Sequence, residues 1–165
     1  MFNIGDTIIY SEHGLCEIDD ICDQTIAGIT RTYYILHPLA DTNLKISTPV
    51  DNDKVLMLRT MNGEEAEMVL QTFNQPGIEW IEDSRQRNKE YADLVHSGDR
   101  NEIAKIVNTL IRKNAELKMG GKRIYDQDRK LLQTTQNILF NELALSLDTS
   151  YEEIEQRVNE MLQVK

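Results

Sequence analysis

The sequence predicts an α+β protein in which a small β-barrel precedes an all-α helical bundle. In the first 60 residues, short β-branched and aromatic runs such as residues 7–10 are separated by turn residues. After Asn62-Gly63, apolar residues instead recur at the 3.6-residue spacing of a helix. The length of 165 residues allows one ordinary domain or two small ones. We therefore predict a β domain over residues 1–62, a connecting helix or linker over 63–76 and a helical domain over 77–165.

The N-terminal part contains five predicted strands, at residues 7–10, 15–21, 32–36, 44–48 and 55–59. His13-Gly14 and Ala27-Gly28 are the predicted turns around the second strand, and Pro49 ends the fourth. The alternation in the second strand is imperfect, so its buried face stays open. Because an open sheet this small would expose its edges, the strands favour a small barrel or a strongly curved sheet.

The C-terminal part contains amphipathic segments typical of a compact bundle of three or four antiparallel helices. A short segment ends at Pro76-Gly77, and helices begin near residues 81, 99, 126 and 150. Asp99 and Ser150 are predicted N-caps, each followed by a glutamate three residues later. The buried face of the short segment is predicted to comprise Met68, Val69, Thr72 and Phe73.

The formal net charge of −10 is unevenly distributed along the chain. Residues 1–76 carry a net −8, residues 85–130 a net +5 and residues 131–165 a net −4. A uniformly acidic chain would argue against nucleic-acid binding, because phosphates are bound by lysine and arginine. A charge run is commonly a solvated helix face, but an asymmetry of this size predicts two surfaces with different partners.

Motifs for catalysis, metal binding and membrane insertion are not found. The three histidines lack partners at metal-ligand spacing, and Cys16 and Cys22 form neither a CxxC pair nor a disulfide framework. No phosphate-binding glycine loop or nucleophile elbow is present. We therefore expect no enzyme activity, no cofactor and no small-molecule substrate. No apolar run approaches about 18 residues, and the N-terminus lacks signal-peptide features, so we expect a cytoplasmic protein without membrane contact.

Several short motifs follow one another in a distinctive order. They are Gly5-Asp6-Thr7-Ile8-Ile9-Tyr10, His13-Gly14, Thr25-Ile26-x-Gly28, Tyr34, Leu44-x-Ile46, Pro49-Val50-Asp51, Ser97-Gly98-Asp99 and Asn137-Ile138-Leu139-Phe140-Asn141-Glu142-Leu143-Ala144-Leu145. The order resembles the CarD/CdnL family of bacterial transcription regulators, whose N-terminal module also occurs in transcription-repair coupling factors. The resemblance implies a Tudor-like β domain that binds the β-subunit lobe of RNA polymerase. It also implies a helical domain that contacts promoter DNA at the upstream edge of the bubble and stabilises the open complex.

The resemblance places the polymerase-binding residues on the hairpin at 24–34 and the strand at 44–48. Edge-to-edge strand addition would supply backbone hydrogen bonds with little demand on side chains. Two polar residues, at positions 24 and 47, fall where other members carry polymerase-contacting arginines. Either Lys45 or Arg31 would then make those polymerase contacts, or the contacts are weaker in this protein. The predicted set is Gln24, Ile26, Arg31, Lys45 and Ser47.

The resemblance also implies a tryptophan that acts as an apolar wedge in the minor groove. The family position aligns with Ser84, whereas Trp80 lies four residues earlier, about one helical turn. A wedge role and a core role therefore both stay open for Trp80. The predicted DNA-contacting set is Trp80, Arg85, Arg87, Lys89, Arg129 and Lys130. The alternative for its cations is pairing with carboxylates on a solvated surface.

We therefore expect a transcription regulator that binds the RNA polymerase β subunit and contacts promoter DNA weakly, through backbone and minor groove and without reading sequence. The alternative is a diverged polymerase-binding adaptor whose helical domain docks another protein. Thr134 and Gln136, which replace lysine or arginine of other members, and the acidic C-terminal segment favour the adaptor. The positive middle segment favours DNA.

Overall fold

The computed structural model describes residues 1–164, apart from the side chain of Glu12. The chain divides into two compact units, Met1–Thr60 and a second unit that begins at Met61. The first unit contains a five-stranded antiparallel sheet and the second contains five α-helices. The predicted α+β class, a Tudor-like β module followed by helices, is confirmed. The segment predicted as a connecting helix belongs to the second unit, because it buries Ala66, Val69 and Leu70 in the helical core.

The strands of the first unit are β1 Thr7–Tyr10, β2 Gly14–Ile26, β3 Ile29–Pro38, β4 Ile46–Pro49 and β5 Met57–Arg59. Their order across the sheet is β4-β3-β2-β1-β5. A register shift between Ile18 and Asp20 explains the imperfect alternation of the second strand. Before this bulge, Cys16 and Ile18 point into the core, where they meet Tyr34 and Leu36 of β3. Tertiary pairing with β3 therefore settles the buried face.

The last two predicted strands differ from the observed ones at their starts. Strands β4 and β5 begin at Ile46 and Met57, two residues later than predicted, and β4 includes Pro49 as its last residue. β4 lies at an edge of the sheet, where a residue without an N–H group is tolerated.

The hairpin between β2 and β3 turns at Ala27-Gly28, as predicted. Both residues have positive φ angles, 53° and 78°. Two consecutive residues of this kind form the type I′ turn that matches the right-handed twist of the flanking strands. The turn pairs Ile26 with Ile29 at the tip and Gln24 with Arg31 two residues behind it.

The helices of the second unit are α1 Gly63–Gln71, α2 Ser84–His96, α3 Arg100–Met119, α4 Asp126–Ser146 and α5 Tyr151–Leu162. The predicted N-caps Asp99 and Ser150 are confirmed, since each side chain accepts a backbone N–H of the first turn. α2 starts three residues later than predicted because Asp83 caps it. The placement of Met68 on the buried face is wrong: its side chain is exposed. Among residues 1–164, no helix is long and apolar enough to span a membrane.

We predict that the thiol of Cys16 does not react while the first unit is folded. Cys16 is fully buried, and burial raises the pKa of its thiol to about 11, so only a very small fraction is thiolate at neutral pH. In a Cys22→Ser variant, labelling by a chromogenic disulfide reagent should appear only as urea unfolds the protein. A Cys16→Ser variant provides the matched control, because Cys22 is only half-buried. Rapid stoichiometric labelling of native Cys22→Ser protein would contradict the predicted burial.

Candidate nucleic-acid and partner interfaces

An irregular segment between α1 and α2 is held in place by hydrogen bonds to its backbone carbonyls. Side chains of α2 and α3 donate these bonds: Asn108 to Gln75 (2.9 Å), Thr109 to Ile78 (2.9 Å) and Tyr91 to Glu79 (2.7 Å). Gly77 makes a close approach here, because a Cβ at this position would lie 2.1 Å from Oγ1 of Thr109. The backbone that carries Trp80 is therefore fixed against the helices.

The buried ion pair of Arg87 and Asp128 joins the beginning of α2 to the beginning of α4. Nε and Nη2 of Arg87 donate to the two carboxylate oxygens of Asp128 at 3.0 and 2.6 Å. Nη1 donates to the carbonyl of Ile81 at 2.7 Å. The side chains are only 1% and 3% exposed. Hydrogen bonding to Asp128 raises the pKa of Arg87, so the guanidinium stays charged in the interior.

Aromatic rings surround this ion pair. The guanidinium carbon of Arg87 lies 4.1 Å from the ring centroid of Trp80 and 5.9 Å from that of Tyr125. Nζ of Lys113 lies 5.0 Å from the Trp80 centroid. We call Trp80, Arg87, Lys113, Tyr125 and Asp128 the Arg87 cluster. Trp80 is half-buried and packs against the helical core, so its placement matches the core role rather than a projecting wedge.

The three predicted cations of α2 lie on two different faces. Arg85 and Lys89 are exposed, and neither has an ion pair within residues 1–164. They are four residues apart and share a helix face, whereas Arg87 is two residues from each and points about 200° away. The placement of Arg87 differs from the predicted phosphate contact, because Asp128 already occupies its guanidinium in the interior.

The cations of α4 and of the loop before it are exposed. They lie close in sequence to Asp128, the acidic partner of the buried ion pair. Arg129 lies 3.4 Å from Asp126, an exposed pair of little energetic weight. Lys130 is exposed and has no ion pair in the described chain. Residue-by-residue comparison with the family missed four further exposed cations of the helical unit that have no ion pair among its described residues: Arg112, Lys118, Lys122 and Arg123. The signal that could have found them is their position within the +5 segment.

The predicted polymerase-facing residues are brought together on the β2–β3–β4 side of the sheet. The hydroxyl of Ser47 donates to Oε1 of Gln24 at 3.4 Å. Arg31 pairs with Asp51 at 2.7 Å, and this hydrogen bond lowers the pKa of Asp51. Lys45 is exposed immediately before β4.

The hairpin tip exposes two large apolar side chains next to each other. Ile26 is 57% exposed, and its cross-strand partner Ile29 is 64% exposed. Ile29 was not in the predicted set, because only pairing across the turn places it beside Ile26. Two adjacent exposed isoleucines give the tip an apolar contact surface.

A second buried carboxylate fixes the start of the helical unit. Glu142 accepts from Nη2 of Arg100 at 2.8 Å and from the backbone N–H of Met61 at 2.9 Å. The hydroxyl of Ser146 donates to the Met61 carbonyl at 2.7 Å. Glu142, part of the motif at residues 137–145, therefore has a structural role in α4.

The structure also pairs His37 with Asp19, at 2.7 Å between Nδ1 and a carboxylate oxygen. The bulge that begins after Ile18 brings Asp19 to this position, and sequence spacing did not indicate the contact. Among the side chains that the structure describes, no three histidine, cysteine, aspartate or glutamate residues converge as a metal site.

Two domain families match this chain, one on each unit. The family described as "CarD-like/TRCF RID domain" matches residues 2–61, and "CarD, C-terminal domain" matches residues 68–159. The chain belongs to the CarD family. The predicted family resemblance is thereby confirmed.

This CarD-family chain is also similar to "Putative transcription factor YdeB" of Bacillus subtilis (strain 168). The two are 24% identical over 144 residues, which cover 87% of this chain and 90% of that protein. The matching families are regulatory and binding domains of transcription rather than enzymes. The protein is therefore a transcription regulator.

We predict that Asp128→Asn strongly destabilises the helical unit. The substitution leaves the buried guanidinium of Arg87 without its counter-charge, and breaking a buried pair costs about 3–5 kcal/mol. The free energy of unfolding, followed in urea by the fluorescence of Trp80, should fall by this amount.

The matched control for this prediction is Asp126→Asn on the same helix. Asp126 pairs with Arg129 in solvent, so its loss should change the free energy of unfolding by less than about 1 kcal/mol. Equal effects of the two substitutions would contradict a special role for the buried pair.

Proposed function

We propose that this protein binds the RNA polymerase β subunit through its sheet unit and promoter DNA through its helical unit, and thereby stabilises the open complex. The observation that carries the proposal is the collection of exposed, unpaired cations around the Arg87 cluster in a chain of net charge −10. Membership of the CarD family supports both halves of the proposal.

The sheet unit suits a protein partner better than DNA. Residues 1–60 contain four cations against nine carboxylates and no basic segment, whereas residues 85–130 of the helical unit carry a net +5 that attracts phosphates. Ile26 and Ile29 offer apolar area at the hairpin tip. β4 lies at the edge of the sheet, with Ser47 within it and Lys45 just before it. An edge strand allows a partner strand to add by backbone hydrogen bonds.

The helical unit suits the phosphate backbone of DNA. Arg85 and Lys89 lie within two residues of Arg87, and Lys130 lies within two residues of Asp128. The buried ion pair thus brings these exposed cations to the same end of the unit. Phosphate contacts fix position without reading sequence, which fits a factor delivered to promoters by polymerase.

DNA binding by the isolated protein should be weak. Glu79, Glu82 and Asp83 precede α2 and reduce the local positive charge. Attachment to polymerase would raise the effective concentration of the helical unit near DNA, so weak contacts suffice in the complex.

We predict that Ile26→Glu with Ile29→Glu abolishes retention of the protein by the polymerase β lobe in a pull-down. Burying an isoleucine contributes about 1.5–3 kcal/mol, so affinity should fall at least tenfold. Leu39→Glu is the matched control, since Leu39 is exposed and follows the opposite end of β3, about 30 Å away. If the wild-type protein is not retained, the polymerase half of the proposal is wrong.

We predict that Arg85→Glu with Lys130→Glu shortens the lifetime of the open promoter complex several-fold while polymerase binding is retained. Each lost phosphate contact should also reduce the slope of log K for DNA binding against log salt concentration by about one. Lys54→Glu serves as the charge control, because Lys54 is exposed on the sheet unit and lacks an ion pair among residues 1–164. An unchanged lifetime with intact polymerase binding would favour the adaptor alternative.

A further inference from the structure

Tyr125 is the exposed aromatic side chain of this protein. The chain has six tyrosines, three phenylalanines and one tryptophan, all within the described residues, and the other nine are buried or half-buried. Tyr125 is 68% exposed, and its hydroxyl has no hydrogen bond within residues 1–164. Its backbone is nevertheless well positioned, because it is the N-cap residue of α4 and its carbonyl accepts from Arg129 at 2.9 Å. A large ring is therefore presented to solvent from a fixed position.

Exposed cations flank this ring in sequence. Lys122 and Arg123 precede it in an open loop, and both are exposed without ion pairs in the described part of the chain. Lys130 lies little more than one turn into the helix that Tyr125 begins. The one carboxylate next to it in sequence, Asp126, lies 3.4 Å from Arg129.

The ring of Trp80 is less available to a ligand than the ring of Tyr125. Its ring packs against the helical core and already has Arg87 and Lys113 over it, at 4.1 and 5.0 Å. Freeing it would remove these cation–π contacts and part of the support of Arg87. The accessible ring of the Arg87 cluster is Tyr125.

We propose that Tyr125 stacks on an unpaired DNA base while Lys122 and Arg123 contact the adjoining phosphates. The inference rests on the proposed DNA contact and deepens it, because it names the DNA structure that the helical unit prefers. Cations contact phosphates of any DNA, whereas an aromatic ring gains stacking only where a base face is free. The bases of a uniform duplex already stack on each other, so a junction between duplex and single strand is the favoured ligand.

The test compares two DNA probes of equal length by fluorescence anisotropy at low salt, using the full chain. One probe is fully paired, and the other carries unpaired nucleotides at one end. The wild-type protein should bind the forked probe more tightly. Tyr125→Ala should lower affinity for the forked probe about tenfold and leave the duplex affinity unchanged. Tyr125→Phe should retain the preference, since it keeps the ring.

Two further variants separate stacking from charge and from general apolar exposure. Lys122→Glu should weaken binding to both probes by a similar factor, because phosphates are common to both. Leu145→Ala should change neither affinity, since Leu145 is exposed near the far end of α4, about 30 Å along the helix from Tyr125.

The outcomes distinguish this inference from the proposed function. Equal wild-type affinity for the two probes, or an undiminished preference in Tyr125→Ala, overturns the stacking site and leaves the DNA contact standing. Absence of wild-type binding to either probe overturns both.

Discussion

The buried ion pair of Arg87 and Asp128 is the interaction on which the candidate nucleic-acid interface depends. The two residues are 41 positions apart in the chain, and the charged group of each is almost completely buried. Charges removed from water are tolerated only with close, fully hydrogen-bonded partners, so the pair allows little variation in how the start of α2 meets the start of α4. The rings of Trp80 and Tyr125 both lie against this guanidinium, at 4.1 and 5.9 Å from its carbon.

This arrangement explains how an acidic protein can present a basic surface. The net charge describes the whole chain, but a phosphate responds to charges within about a Debye length, roughly 8–10 Å. In the helical unit the buried pair neutralises itself, and the cations near it in sequence are left exposed in solvent. The sheet unit offers a different type of surface, formed by the edge strand β4 and by the exposed isoleucines of the hairpin tip.

Local signals in the sequence were sufficient for much of the fold. The turn at Ala27-Gly28, the caps Asp99 and Ser150 and the start of α4 at Asp126 all depend on residues within a few positions of each other. The differences concern the starts of β4, β5 and α2 and the burial of single side chains. Spacing alone placed Met68 on the buried face beside Val69, but α1 buries Ala66 and Leu70 with Val69 and leaves Met68 exposed.

The sequence by itself determined the order of strands and helices, the uneven charge and the family, because these follow from local patterns and motif order. Only the tertiary structure decided which polar and aromatic groups are available to a partner. Arg85, Arg87 and Lys89 look equivalent along the chain, but Asp128 from another helix withdraws Arg87 alone from solvent. Likewise, core packing and the contact with Arg87 cover Trp80, while Tyr125 remains exposed. Burial is a property of contacts between distant residues, and local sequence does not specify those contacts.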